Sequence, residues 1–155
     1  MSDLPFLDLH GNDFERGVKH GRVLKQAISE NLETYFERFN ASGLSADNAR
    51  QEGKKWAEVI AKQNAAYTKE MEGIAEGSGH VLSDIAMLNA RYEITFGLMK
   101  EEAAVIDLND QADGCTTFGV LPQATDNGHT VLGQNWDWLV GVYGRCTLMR
   151  VKREQ

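Results

Sequence analysis

The sequence has few cysteines, no excess of basic charge and no long apolar run, and each shortage argues against a class of protein. Its two cysteines, Cys115 and Cys146, are too few for a disulfide scaffold. The net charge of -7 argues against nucleic-acid binding, which usually requires a basic face, and against docking on anionic membranes. No apolar run approaches the length that spans a bilayer. At 155 residues, the chain fits one domain with a hydrophobic core of its own.

The first residues, "MSDLPFLDLHGNDFERG", have no basic segment followed by an apolar stretch, so they do not read as a secretory signal. We therefore expect a cytoplasmic protein in which thiols stay reduced. A disulfide between Cys115 and Cys146 is disfavoured in that compartment, and Cys146 is predicted to be a strand residue that faces the core. The composition thus permits a reactive unpaired cysteine.

Motifs for metals and phosphates are also missing. The sequence has no Cys-x-x-Cys, no His-x-x-x-His and no Gly-x-x-x-x-Gly-Lys segment. The four histidines are scattered and suggest no pairing: His10, His20, His80 and His129. We expect no metal site and no phosphate-cradling loop.

Apolar residues at helical spacing predict helices over the first hundred residues. Asn12 followed by Glu15 is a capping box for the first helix, which we expect to end at the "NASG" segment, 40–43. Ser45 and Ser83 are predicted caps of the next two helices. The second should fade at "EGSGH", 76–80, where glycines disfavour a helix.

Within the first helix, Gly17 and Gly21 lie four residues apart. Because glycine costs helix stability, this spacing indicates that another element approaches closely there. His20 lies between them, and a role in helix packing or capping is favoured over catalysis.

After about residue 104 the pattern changes to strands. "CTTFGVLP", "TVLGQNWDWLV" and "RCTLMRVKR" are strand candidates, and Asn127-Gly128 between the first two is a strong turn signal. Helices followed by antiparallel strands indicate an α+β fold. We expect residues 1–155 to form a single incomplete domain, with a helical segment over 1–114 and the first strands of a sheet over 115–155.

The dipeptide Gly114-Cys115 has two interpretations. Asp113-Gly114 is a common turn and Cys115 a small buried residue at the start of a strand, which is the favoured interpretation of the tripeptide alone. Alternatively, the Cys115 thiol attacks the carbonyl carbon of Gly114 and the bond between them is cut. Glycine tolerates unusual backbone angles and leaves that carbonyl uncrowded. The freed cysteine would carry both a nucleophile and a base, since an α-amino group has a pKa of about 7.7–8.0.

The segment "GQNWDW", 133–138, favours the second interpretation. In a strand, Asn135 and Asp137 would share one face, and Trp136 and Trp138 the other. A hairpin from Cys115 would bring the polar face beside the new N-terminus. A carboxylate there can hold the ammonium group, and an amide can donate to an oxyanion or to substrate.

"DGCTT" followed by "GQNWDW" resembles the acyl-coenzyme A:isopenicillin N acyltransferase family of self-cleaving N-terminal-nucleophile enzymes. Two upstream segments resemble motifs of the same family: "ERGVKHGRVLKQAI", 15–28, its first-helix motif, and "LNARYEI", 88–94, its Leu-Asn-x-Arg-x-Glu motif. The four matches follow the family's order across nearly the whole chain.

The resemblance implies an αββα sandwich, of which this chain would hold the N-terminal part. It implies autocatalytic cleavage between Gly114 and Cys115, with Cys115 as the nucleophile that takes an acyl group as a thioester. Asp137 matches the aspartate that supports processing and catalysis. The remaining matched residues are expected to have supporting roles: Asn135, Thr116, Asp113, Arg91 and Glu93.

For Arg91 and Glu93, solvated charges on a helix surface are an equal alternative; two residues apart, they do not share a helix face. The family's later strands supply an oxyanion-hole amide and a distal arginine. The resemblance implies no cofactor, with coenzyme A entering only as a carrier of the acyl substrate. The implied partners are a small amide or acyl substrate and the C-terminal remainder, or cleaved subunit, of the same enzyme.

Two other hypotheses stay open. The chain could be a non-catalytic α+β interaction module or an inactive fragment of such an enzyme. It could also be an unprocessed cysteine hydrolase that pairs Cys115 with His129, the histidine near in sequence. Within the enzyme hypothesis, water and an amine are both open as acyl acceptors.

Overall fold

A computed structural model describes residues 4–102 and 115–152. In the described residues the chain forms six α-helices and four β-strands. In chain order these are β1 (Phe6–Leu9), α1 (Asp13–Val23), α2 (Lys25–Ala41), α3 (Ala46–Gln63), α4 (Ala65–Ser78), α5 (Leu82–Asn89), α6 (Arg91–Glu102), β2 (Cys115–Val120), β3 (Val131–Trp136) and β4 (Leu148–Val151). Short 3-10 turns lie at Pro122–Ala124 and Val140–Val142.

The predicted helices are present, but each is broken into two. The capping box of α1 is confirmed, since Asn12 Oδ1 accepts from the Glu15 amide and Glu15 Oε2 accepts from the Asn12 amide, both at 3.0 Å. Ser45 caps α3 as predicted. Ser83 does not cap a helix, because α5 already begins at Leu82.

The break between α3 and α4 has a clear local cause. Asn64 interrupts the predicted second helix, and its Oδ1 accepts from the amide of Tyr67 at 3.1 Å, which starts α4. The asparagine thus acts as an N-cap inside a stretch whose apolar spacing reads as one helix. Helix α4 then ends where Gly79 adopts a left-handed conformation, with φ 76°.

Glycines bring α1 and α4 into backbone contact, as the spacing of Gly17 and Gly21 predicted. Gly17 lies against Gly73 of α4, and Gly21 lies against the backbone of Ile74 and Ser78 in the same helix. Gly77, four residues after Gly73, lies in turn against the backbone of α1. A methyl group added at Gly17 would lie 2.1 Å from the carbonyl oxygen of Glu70. The two helices can therefore pack this closely only without side chains at the contact.

The strands differ from the predicted antiparallel sheet. Strands β2 and β3 form an antiparallel hairpin, but β4 pairs in parallel with β1, so the described strands form two two-stranded sheets. Strand β1 was not predicted, because four residues give too short a pattern. It pairs because Leu7 and Leu9 are buried, while the intervening Asp8 is half-buried and bonds to Arg150 of β4.

The hydrophobic core lies among the helices, and the coarse α+β assignment is confirmed. Its largest fully buried apolar side chains come from α2, α4 and α5 and from β1: Phe39, Met71, Met87 and Leu9. Val142, from the connection between β3 and β4, is buried in the same core. No helix in the described part of the chain is long and apolar enough to cross a membrane.

Candidate active site

Cys115 is the first residue of β2 and lies at the open end of the hairpin, where its side chain is exposed. Its cross-strand partner is Trp136. Directly opposed residues of an antiparallel pair project from the same face, so the thiol stands beside the indole of Trp136. Cys146 was predicted to face the core; it is instead exposed, in the connection just before β4.

The polar residues of "GQNWDW" occupy two different settings. Asn135 lies in β3 opposite Thr116, on the hairpin face away from the thiol. Asp137 lies just after β3, because the strand ends at Trp136, earlier than the sequence pattern predicted. Both side chains are exposed. The carboxylate is therefore next in sequence to the residue that pairs with Cys115, on a connection rather than in the strand.

Trp136 and Trp138 share a side, as predicted, and join the hairpin to the helices. Their ring centroids are 6.4 Å apart and their planes differ by 15°. Trp138 packs on Tyr92 of α6, with ring centroids 4.8 Å apart, and its Nε1 donates to Tyr35 Oη of α2 at 2.7 Å. Aromatic contacts of this kind add to the stability that burial provides. We call these four rings the aromatic cluster.

Arg91 lies at the edge of the aromatic cluster. Its guanidinium carbon is 4.9 Å from the centroid of the Tyr92 ring and 5.8 Å from that of Tyr35, within the range of a cation–π interaction. Its Nη1 also donates to the carbonyl of Leu88 at 3.0 Å. Within the described residues, Arg91 is therefore connected to the hairpin only through the aromatic rings.

Glu93 faces elsewhere. It is exposed and lines a groove of about 330 Å³ with residues of α3 and the start of α4, among them Trp56 and Tyr67. The expectation that Arg91 and Glu93 do not share a face holds. Of the two, only Arg91 contacts the aromatic cluster in the described structure.

The bond predicted to be cut, between Gly114 and Cys115, includes a residue outside the described part of the chain. Asp113 and Gly114 lie outside the described residues, so the cleavage site before Cys115 stays a prediction. The roles expected for Cys115, Asp137, Asn135 and Thr116 likewise stay predictions.

His129 is poorly placed to act on Cys115. It follows the turn that closes the hairpin, where its amide donates to Asn127 Oδ1 at 3.1 Å and its carbonyl accepts from Thr125 Oγ1 at 2.9 Å. Cys115 lies at the opposite, open end. Five residue steps of strand separate the two ends by about 17 Å. The geometry therefore disfavours the hypothesis of a cysteine–histidine pair.

His20 and His80 lie among the helices. Burial in the last turn of α1 lowers the pKa of His20, as expected for a packing residue. His80 lies 2.8 Å from Ser29 Oγ of α2, through its Nε2 atom.

Sequence reasoning missed the anchors that hold the segment after Asp137 on the helices. Tyr35 and Tyr92 carried only the signal of helical apolar spacing, and nothing in the pattern marked Arg145. Arg145 nevertheless forms an ion pair with Glu30 of α2, with 2.8 Å between Nε and Oε2. Partners more than a hundred residues apart leave no local signature in a sequence.

Comparison with known proteins adds to this geometry. No established family profile matches the chain. The chain is 30% identical over 129 residues to acyl-coenzyme A:6-aminopenicillanic-acid acyltransferase, 40 kDa form, from Emericella nidulans. The match covers 83% of this chain and 32% of that protein, so the chain spans about a third of its relative's length. The similarity supports the acyltransferase-like family that the motifs predicted.

Proposed function

We propose that this chain is the N-terminal part of an autoproteolytically processed amidohydrolase or acyltransferase that works through a cysteine thioester. The observation that carries the proposal is the position of Cys115 at the open end of a hairpin, opposite the "GQNWDW" segment, in a chain similar to an acyltransferase over 129 residues. An exposed thiol at a strand end is accessible both to the preceding carbonyl and to a substrate.

Processing begins when the Cys115 sulfur attacks the carbonyl carbon of Gly114. The thiol proton passes to the Cys115 nitrogen as the peptide bond breaks, which leaves a Gly114 thioester and a free α-amine. Water then attacks the thioester, releases the Gly114 carboxyl group and regenerates the thiol. The new N-terminal residue retains its nucleophile and gains a base with a pKa of about 7.7–8.0.

Turnover repeats the same chemistry on a substrate. The α-amine accepts the thiol proton while the sulfur attacks an amide or thioester carbonyl, and the protonated amine then donates to the leaving group. The resulting acyl-enzyme passes its acyl group to water or to an amine. Small acyl compounds are the proposed substrate class, with coenzyme A as a carrier when the substrate is a thioester.

Asp137 is proposed to hold the α-ammonium group of Cys115, because it follows the residue paired with Cys115. Asn135 and Thr116, paired on the other face, are proposed to fix the hairpin. Asp113 would shape the cleavage segment. Arg91 supports the site through the aromatic cluster, where its charge lies against Tyr92.

The hairpin also supports an αββα sandwich in the complete protein. Phe118 of β2 is 58% exposed and Leu132 of β3 is 80% exposed, on opposite faces of the hairpin. Large apolar side chains on both faces of a two-stranded hairpin call for further layers, since such a hairpin alone is marginally stable. The proposed covering is the remainder of the same enzyme.

The second candidate is a non-catalytic interaction module. The exposed apolar faces of the hairpin also favour it, because they could bind another protein without any chemistry at Cys115. The two candidates differ in whether the bond before Cys115 is cut.

The decisive experiment follows the mass of the full natural polypeptide after expression. We expect two pieces, of which the second begins with Cys115 by N-terminal sequencing. Cys115→Ala should remain whole, and Cys146→Ala, which removes the other exposed thiol, should be cut like the wild type. A wild-type chain that stays whole through prolonged incubation, with a Cys115 thiol unreactive towards iodoacetamide, would favour the interaction module.

A further inference from the structure

Arg145 binds the connection between β3 and β4 to the surface of α2. Its Nε donates to Glu30 Oε2 at 2.8 Å, and its Nη1 donates to Asn31 Oδ1 at 3.3 Å and to Thr34 Oγ1 at 3.2 Å. The same Nη1 donates to the carbonyl of Gly141 in its own connection. One guanidinium therefore ties the connection both to itself and to α2, which a planar fork of donors does well.

The turn that ends at Arg145 packs against the helices. The amide of Arg145 donates to the carbonyl of Val142 at 3.2 Å, and the Val142 side chain is buried in the helical core. Gly141 lies against Thr34 so closely that a methyl group there would be 2.6 Å from Thr34 Cγ2. We call residues 138–145, anchored by Trp138 at one end and Arg145 at the other, the tether.

The hairpin has little else to fix its position among the described residues. Strands β2 and β3 hydrogen-bond to each other, and all their residues are exposed except Val120 and Gly133, which are half-buried. Asp137 stands between β3 and the tether. Within the described residues the tether joins the hairpin to the helical core, so it helps to set where Asp137 and Cys115 lie.

We propose that Arg145 is a positioning residue that keeps Asp137 and the Cys115 end of the hairpin in the geometry that cleavage requires. This inference rests on the proposed function. Reacting groups must be held closely, and a displacement of about 1 Å caused by a distant substitution can cost a hundredfold in rate.

Glu30, the carboxylate on α2 that accepts from Arg145, is itself stabilised in its charged form. Hydrogen bonds from Gln26 and then from Arg145 lower the pKa of Glu30, so the carboxylate stays ionised at neutral pH.

The test measures processing in the full natural polypeptide, because that reaction needs no identified substrate. We expect Arg145→Ala to slow the appearance of the piece beginning at Cys115 by about tenfold to a hundredfold, with a melting temperature close to that of the wild type. Arg145→Lys should recover part of the rate, since an ammonium can still pair with Glu30 but cannot donate as a fork. A role in stability alone would not be rescued in this graded way at unchanged melting temperature.

The matched control is Arg150→Ala. Arg150 also forms an ion pair between two elements, with Asp8 of β1, but does not contact the tether in the described structure. We expect it to be processed at close to the wild-type rate. Equal slowing in Arg150→Ala and Arg145→Ala, or wild-type processing in Arg145→Ala, would overturn the positioning role while leaving the proposed function intact.

Two further outcomes remain decisive. If Arg145→Ala does not fold by circular dichroism, a folded Arg145→Lys that is processed at the wild-type rate overturns the role, and a slowed one supports it. If the wild-type protein itself stays whole, as Cys115→Ala does, both the proposed function and this inference fail.

Discussion

At the scale of single residues, cross-strand pairing decides what surrounds the candidate nucleophile. Cys115 lies beside Trp136, whose indole stacks on Trp138, while Asn135 lies on the other face of the hairpin. The thiol therefore has an apolar neighbour, Trp136, on its own face. The carboxylate of Asp137 belongs to the next residue in the sequence after Trp136. A one-residue change of register would place Cys115 opposite a different residue of β3, because side chains alternate between the two faces of the hairpin.

His20 carries a prediction at the residue scale. Burial lowers its pKa in the folded chain, so the folded state favours the neutral imidazole. The unfolded chain then binds more protons as pH falls below about 6.5, and the free energy of unfolding decreases from that pH down to the lowered pKa of the folded state. Urea unfolding at pH 7.5 and 5.5 should show this loss.

In His20→Gln the difference between the two pH values should be smaller. His129→Gln, in the exposed hairpin turn, is the control and should keep the wild-type difference. If His20→Gln and the wild type lose the same stability between pH 7.5 and 5.5, burial of this imidazole does not govern the acid sensitivity.

At the scale of elements, glycines determine how closely two helices pack. Helices α1 and α4 meet at Gly17, Gly21, Gly73 and Gly77, where their backbones touch. The contact fixes α1 against the part of the bundle that carries Met71 in the core. In contrast, the β-carbon position of Gly97 in α6 has no atom within 4 Å among the described residues, apart from its chain neighbours and the helix's own backbone.

These glycines give opposite predictions for the same substitution. Gly17→Ala should lower the free energy of unfolding by about 3 kcal/mol, because the new methyl group meets the Glu70 carbonyl and the helices must separate. Gly97→Ala should raise it by about 0.5–1 kcal/mol, since alanine is the better helix residue and space is open. Thermal or urea unfolding of both variants checks the pair, and a Gly17→Ala protein as stable as the wild type would contradict the close approach.

At the scale of the whole molecule, contacts cross between the segments on either side of the predicted cleavage bond. Strand β1 pairs with β4, Val142 is buried among the helices, and Trp138 donates to Tyr35. The two segments share both a sheet and a core, and none of these contacts uses the peptide bond predicted to be cut.

Processing should therefore leave the two pieces bound together. We expect the cleaved protein to elute as one species on size-exclusion chromatography in native buffer and to run as two bands after denaturation. Cys115→Ala, which should remain a single uncut polypeptide, gives the reference elution volume. Separation of the pieces in native buffer would mean that the shared sheet and core are too weak to hold them.

Local sequence predicted what local interactions control. The capping box at Asn12, the cap at Ser45 and the close approach at Gly17 were all predicted, because each depends on residues within one turn of helix or on the size of one side chain. The motifs around Cys115 and Asp137 predicted the acyltransferase-like relationship for a similar reason, since they lie within two short segments.

The structure corrected predictions that depended on distant partners. Cys146 is exposed rather than core-facing, β4 pairs with β1 rather than extending the hairpin, and Asn64 breaks a helix that periodicity joined. Short strands such as Phe6–Leu9 carry too few residues for a pattern, and they form only when a partner strand and a buried face are supplied elsewhere in the chain.

The sequence by itself thus determined the helix caps at Asn12 and Ser45 and the α+β composition, and it predicted the acyltransferase-like similarity and the candidate nucleophile. Only the tertiary structure decided the parallel pairing of β1 with β4, the aromatic cluster and the tether held by Arg145. The physical reason is range: a cap or a motif acts over a few residues, whereas these contacts join residues from 46 to 142 positions apart, and only packing selects such partners.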